Sequence, residues 1–85
     1  MKITNNFYNK VCQEIGKAYF PEVKYYRDNK NLTNIHYAVE LFNNGVITYR
    51  VLIQRLSTNT KQPKKKINSI VSKYIDDFEG CNYMP

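Results

Sequence analysis

From Ile67 onward the apolar residues of this chain fall at Ile67, Ile70, Val71, Tyr74, Ile75 and Phe78. The spacing i, i+3, i+4, i+7, i+8, i+11 puts them on one face of a 3.6-residue period and commits the stretch to an amphipathic helix. Pro63 fits its first position, where the missing N–H would be unpaired in any case. Lys65, Ser69, Ser72 and Asp76 fall on the wet face. Lys64, Lys65 and Lys66 crowd the first turn, at the positive end of the helix dipole, while Asp76, Asp77 and Glu79 crowd the negative end. Each misplaced charge costs on the order of 0.3–1 kcal/mol at an exposed site, so stability alone does not select this arrangement. A helix N-terminus flanked by lysines is suited to holding a phosphate. The plain alternative is a solvated charge run.

That stretch belongs to a chain of 85 residues, which the reading takes as one domain spanning 1–85 with a loose tail over 80–85. The formal net charge is +6 and the pI about 9.4, which points toward a polyanionic partner. The charge is unevenly placed. No Asp or Glu occurs from Leu41 to Ile75, whereas Arg50, Arg55, Lys61, Lys64, Lys65, Lys66 and Lys73 all fall there.

Little in the composition supports chemistry. The chain has one histidine and two cysteines, too few for a four-ligand zinc site. It has no Gly-rich phosphate loop and no Cys–His or Ser–His spacing, so the expectation is a protein that is not an enzyme and has no cofactor. Asp76, Asp77 and Glu79 could meet a divalent ion, but acids at a helix end are ordinarily solvated surface. Cys12 sits on an apolar stripe as a small hydrophobe, and Cys81 lies in the tail. With no disulfide framework, leader or membrane-length apolar run, the expected setting is cytoplasmic and reducing.

A first helix is expected over residues 4–16, with Ile3, Phe7, Val11 and Ile15 repeating every four residues, Thr4 or Asn5 as cap and Gly16 as stop. Residues 22–28 have strand composition. Residues 34–42 alternate, with Ile35, Tyr37, Val39 and Leu41 on one face and His36, Ala38, Glu40 and Phe42 on the other. Asn43-Asn44-Gly45 reads as a hairpin turn, because Asn and Gly tolerate positive φ. Residues 46–56 read as a third strand, with Ile47, Tyr49, Val51 and Ile53 on one face, and residues 57–62 as a polar loop. The expected fold is therefore α+β, a single α-β-β-β-α domain with a three-stranded antiparallel sheet and two helices packed on one face.

In that order the chain resembles the double-stranded RNA-binding domain. The matching strings are Tyr8-Asn9-Lys10-Val11-Cys12-Gln13-Glu14-Ile15-Gly16 with Phe20-Pro21-Glu22-Val23-Lys24-Tyr25, then His36 through Tyr49, then Lys64-Lys65-Lys66-Ile67-Asn68. The resemblance covers roughly residues 5–78 and implies sequence-tolerant binding to duplex RNA. By that resemblance Lys64, Lys65 and Lys66, with Lys61 nearby, would meet phosphates across the major groove. Asn9, Lys10 and Gln13 would touch one minor groove, and His36 the next. Two further functions suit the same composition. One is a small basic protein–protein or inhibitor module, including self-association through the third strand, for which the many tyrosines would serve. The other is DNA binding by the sheet, using Lys24 and Arg50.

Overall fold

The computed structural model describes residues 6–75. It is all-helical. Four α-helices follow one another, α1 (Asn6–Tyr19), α2 (Lys30–Asn43), α3 (Tyr49–Thr60) and α4 (Lys64–Ser72), with a 3-10 helix at Tyr26–Asp28 between the first two. No strand occurs among the described residues, so the α+β sheet architecture is overturned. All three expected strands are replaced. Residues 22–28 become a connector ending in the 3-10 helix, 34–42 lie inside α2, and most of 46–56 lies inside α3.

The physical reason lies in two competing periodicities. In α2 the buried residues are Leu32, Ile35, Ala38, Val39 and Phe42, a helical stripe that leaves Tyr37 exposed. In α3 they are Tyr49, Leu52, Ile53, Leu56 and Thr60, a helical stripe at i, i+3, i+4, i+7, i+11. A strand would have placed Ala38 and Phe42 opposite Ile35 and Val39; the helix buries all four on one side. Both helices also carry start signals. The Asn29 side chain accepts from the Leu32 N–H at 2.9 Å, and the Thr48 hydroxyl accepts from the Val51 N–H at 3.3 Å.

Asn43-Asn44-Gly45 ends a helix instead of turning a hairpin. Gly45 has φ +80°, its N–H donates to the Phe42 carbonyl at 3.0 Å, and the Val46 N–H donates to the Leu41 carbonyl at 2.8 Å. This pair of bonds is the Schellman closure of α2. The same tolerance of positive φ serves either structure, so the tripeptide alone does not discriminate.

The two terminal helices form where expected, with small shifts. α1 runs past Gly16 to Tyr19, and Pro63 precedes α4 as its extended cap (φ −65°, ψ 149°) instead of opening it. Residues 57–60 are the end of α3, not a loop. The caps at Thr4 and Asn5, the Phe78 position, the acids at 76, 77 and 79 and the tail lie outside the described residues.

Helix α2 is the hub, packed against α1, α3 and the 3-10 helix, while α4 packs on α3 and touches α1. Phe42 links three elements, with Phe7 of α1 at 5.7 Å between ring centroids and Tyr49 of α3 at 5.9 Å. Ile67 and Val71 bury α4 in the same core as Leu52 and Leu56. Beyond the helix, the Tyr74 hydroxyl donates to Glu14 Oε1 at 3.0 Å and Lys73 Nζ lies 3.6 Å from Glu14 Oε2, tying this end to α1.

Candidate functional site

The residues singled out by the sequence separate into two places. Lys61, Lys64, Lys65 and Lys66 gather at the junction of α3 and α4, all exposed. Asn9, Gln13 and His36 line a different surface, an open groove of about 600 Å³ walled by α1, the connector with its 3-10 helix, and α2. Lys10, exposed on α1, has its ammonium 5.9 Å from the centre of the Tyr74 ring.

The α3–α4 junction is a three-residue turn, Lys61-Gln62-Pro63. Lys61 adopts the left-handed conformation (φ 60°, ψ 33°) and its N–H donates back to the Ser57 carbonyl. The Gln62 N–H donates to the same carbonyl at 3.3 Å, and the Ser57 hydroxyl donates to the Gln62 carbonyl at 2.5 Å. The buried Thr60 hydroxyl donates to the Leu56 carbonyl at 2.8 Å. The turn is therefore held by short local bonds, and it fixes where α4 begins. No side chain caps α4; the Pro63 carbonyl accepts from the N–H groups of Lys66 and Ile67 at 3.0 and 3.2 Å. Burial of Ile67 and Val71 turns Lys64, Lys65, Lys66, Asn68, Ser69 and Ser72 to solvent.

Seven cations and no carboxylate belong to residues 49–75. Among the described residues only Lys73 of these seven has an ion-pair partner, Glu14. A shallow groove of about 310 Å³ lies between α3 and α4, lined by Tyr49, Arg50, Ile53, Lys64, Lys65 and Asn68. On its wall the Tyr49 hydroxyl donates to Asn68 Oδ1 at 2.5 Å, joining the first residue of α3 to the middle of α4. Sequence reasoning did not single out Tyr49 or Asn68 as a pair. With Tyr49 placed on a strand, nothing brought them together.

His36 is corrected in role. Its ring is half-buried, stacked on Tyr26 at 3.9 Å with the planes 9° apart, and its Nδ1 lies 3.1 Å from the Tyr8 hydroxyl. Burial lowers its pKa below the ordinary histidine value. Burial also pushes the Tyr8 hydroxyl up to about 12, with smaller contributions from Cys12, Tyr26 and Glu40, and raises the Cys12 thiol to about 12. The thiol of Cys12 is thus a core group and not a nucleophile. Among the described residues no three His, Cys, Asp or Glu side chains stand close enough to share a metal ion, and no helix is long and apolar enough to cross a membrane.

No family model matches the chain, and no curated protein or solved structure is significantly similar to it. The resemblance to the double-stranded RNA-binding domain depended on a central hairpin, and that hairpin is helix. The two-minor-groove geometry it implied also required a projecting loop histidine, and His36 is instead packed within a helix. The α+β geometry through which that resemblance implied duplex-RNA contact is therefore not the observed one.

Proposed function

We propose that this chain is a non-catalytic duplex-DNA-binding domain in which α3, the 61–63 turn and α4 act as a helix-turn-helix. The observation that carries the reading is a tight three-residue turn between two helices that together with the turn expose six cations and no carboxylate. In that arrangement the second helix enters the major groove by its N-terminal residues, and the first crosses the backbone. Lys64, Lys65 and Lys66 at the opening of α4 meet phosphates, assisted by the uncapped N–H groups and the helix dipole. Lys61 in the turn and Arg50 and Arg55 on α3 extend the basic surface along the backbone. An A-form RNA duplex does not suit this mode, because its major groove is too narrow for a helix.

If four to six of these cations meet phosphates, log K falls against log salt with a slope of about −3.6 to −5.4. The test is fluorescence anisotropy with a DNA duplex, the matching RNA duplex and single-stranded DNA across a salt series. Preference for duplex DNA with that slope supports the reading. Equal, weak binding to all three would reduce the cations to a generic basic surface.

A second reading, a protein-contact module, is favoured by the exposed Tyr25, Tyr37 and Val46, which are 64%, 57% and 65% exposed. Tyr37 lies on α2, Tyr25 precedes the 3-10 helix and Val46 follows α2, and exposed aromatic and aliphatic side chains of this kind suit a protein partner more than a phosphate backbone. Salt-insensitive co-elution with one partner, abolished by Tyr37→Ala, would establish it.

A further inference from the structure

The groove between α3 and α4 holds a polar group whose orientation is fixed from below. Asn68 is exposed, yet its Oδ1 is engaged at 2.5 Å by the hydroxyl of Tyr49, a side chain only 9% exposed. Tyr49 is itself anchored, packed edge-on against Phe42 in the core. An exposed asparagine ordinarily turns freely about its side-chain bonds; this one is tied to a buried phenol on a neighbouring helix. The tie takes one of the two lone pairs on Oδ1. The second lone pair and both Nδ2 hydrogens remain, and among the described residues Nδ2 has no hydrogen-bond partner. Arg50, Lys64 and Lys65 rim the same groove, with no acid in its lining.

Resting on the duplex-DNA reading above, we propose that Asn68 is the specificity-determining residue of this surface. It reads one adenine in the major groove, and Tyr49 is its positioning residue. The chemistry selects the base. Adenine presents an N6 donor beside an N7 acceptor, which matches the remaining Oδ1 lone pair and an Nδ2 hydrogen in a bidentate pair. Guanine presents two acceptors, O6 and N7, so Oδ1 would meet a like partner. Cytosine offers a donor alone, and thymine an acceptor beside a methyl group. The flanking Arg50, Lys64 and Lys65 hold phosphates and set the register that brings Asn68 to the base edge. Because Tyr49 already holds Oδ1 in place, less orientational freedom is lost when the pair forms than for an untethered asparagine.

The experiment selects bound sequences from a randomised duplex pool with the wild-type chain, Asn68→Ala and Tyr49→Phe. Affinities are then measured by anisotropy on the preferred site and on the same site with its adenine changed to guanine. Wild type is expected to prefer adenine at one position by roughly ten- to a hundredfold. Asn68→Ala erases that preference while binding to unrelated duplex stays within about twofold, because the phosphate contacts are untouched. Tyr49→Phe retains the ring in the core and removes the hydroxyl alone, so it narrows the preference and leaves unrelated-duplex binding as it was. A merely structural bond would instead lower the melting temperature of both variants and leave base preference in place, which overturns the inference. Wild-type binding with no base preference, or an Asn68→Ala chain that keeps the adenine, also overturns it and leaves the DNA reading standing. Failure of the wild-type chain to bind any duplex brings down both.

Discussion

The two halves of this molecule spend their polar groups differently. Over residues 6–48, Lys10, Lys17, Lys24, Arg27 and Lys30 are nearly balanced by Glu14, Glu22, Asp28 and Glu40. Here the polar atoms are consumed internally: His36 by Tyr8 and Tyr26, the Thr33 hydroxyl by the Tyr26 carbonyl, Asn29 by the start of α2. Over residues 49–75 the seven cations have no acid on their own segment, and the one ion pair they form among the described residues reaches across to Glu14. Polar side chains here also serve structure, in the turn, the Tyr49–Asn68 bond, the Asn59 bond to the Arg55 carbonyl and the Tyr74 bond to Glu14, but six of the seven cations have no ion-pair partner among the described residues. A surface that leaves its charges unmatched gives up a little stability, and the lysines opening α4 also stand at the wrong end of a helix dipole. One half therefore reads as scaffold and the other as surface held ready for an anion.

The sharpest way to break that contrast is to remove Lys64, Lys65 and Lys66 together. Changing all three to Ala is expected to weaken duplex-DNA binding on the order of a hundredfold or more near 0.1 M salt and to flatten the salt slope by about 2.7. The same change relieves three unfavourable dipole contacts and introduces the best helix former, so the unfolding free energy should rise by about 1 kcal/mol. Binding and stability then move in opposite directions, as read from anisotropy and urea melts of one protein. Loss of stability alongside loss of binding would mean the lysines belong to the scaffold.

A smaller effect is expected in the turn. Lys61 holds a left-handed backbone that L-residues adopt reluctantly and that glycine adopts freely. Lys61→Gly should stabilise the fold by about 0.5–1 kcal/mol while reducing the salt slope by about 0.9, one phosphate contact. An unchanged slope would place Lys61 off the DNA and return it to the structural side of the comparison.

How much of this was legible without coordinates follows the same division. The last helix is readable because Ile67, Ile70, Val71 and Tyr74 mix odd and even positions and cannot share an alternating face. Phe7, Val11 and Ile15 could share one, but that face would also carry Asn9 and Gln13 and would leave Cys12 on the other side, so the helical stripe is the better fit. The lysine cluster is readable because charge does not depend on fold. The middle of the chain is ambiguous. Residues 34–42 satisfy alternation through Ile35, Tyr37, Val39 and Leu41, and satisfy a helical stripe through Leu32, Ile35, Ala38, Val39 and Phe42. The β-branched composition of 46–56 leans toward strand, and Asn43-Asn44-Gly45 serves a hairpin or a Schellman cap equally. What settles the matter is burial, since the helical choice hides Phe42 and Ala38 in the core with Ile35. The candidate site suffered accordingly: its cations were found, but Arg50 was assigned to a sheet face, His36 to a loop contact, and the Tyr49–Asn68 bond to nothing.

The mildest test acts on the scaffold half through pH. Burial holds the folded-state pKa of His36 below its ordinary value, so over the interval between the two the unfolded chain binds more protons than the folded one. Stability attributable to this histidine is complete above about pH 7 and declines as the pH falls through about 6.5 toward the folded value. The groups facing the ring are Tyr8 from α1 and Tyr26 from the 3-10 helix, and Glu40, one turn along α2, is exposed. A protonated ring would also forfeit Nδ1 as an acceptor for the Tyr8 hydroxyl. The thermal midpoint should therefore drop modestly between about pH 7.5 and pH 5.5, and His36→Gln should flatten that response even if it starts lower. His36 lies outside residues 49–75, so the salt slope for DNA should be constant wherever the protein is folded. A slope that follows the midpoint would show that the two halves are coupled through α2 and that the division between scaffold and surface is too sharp.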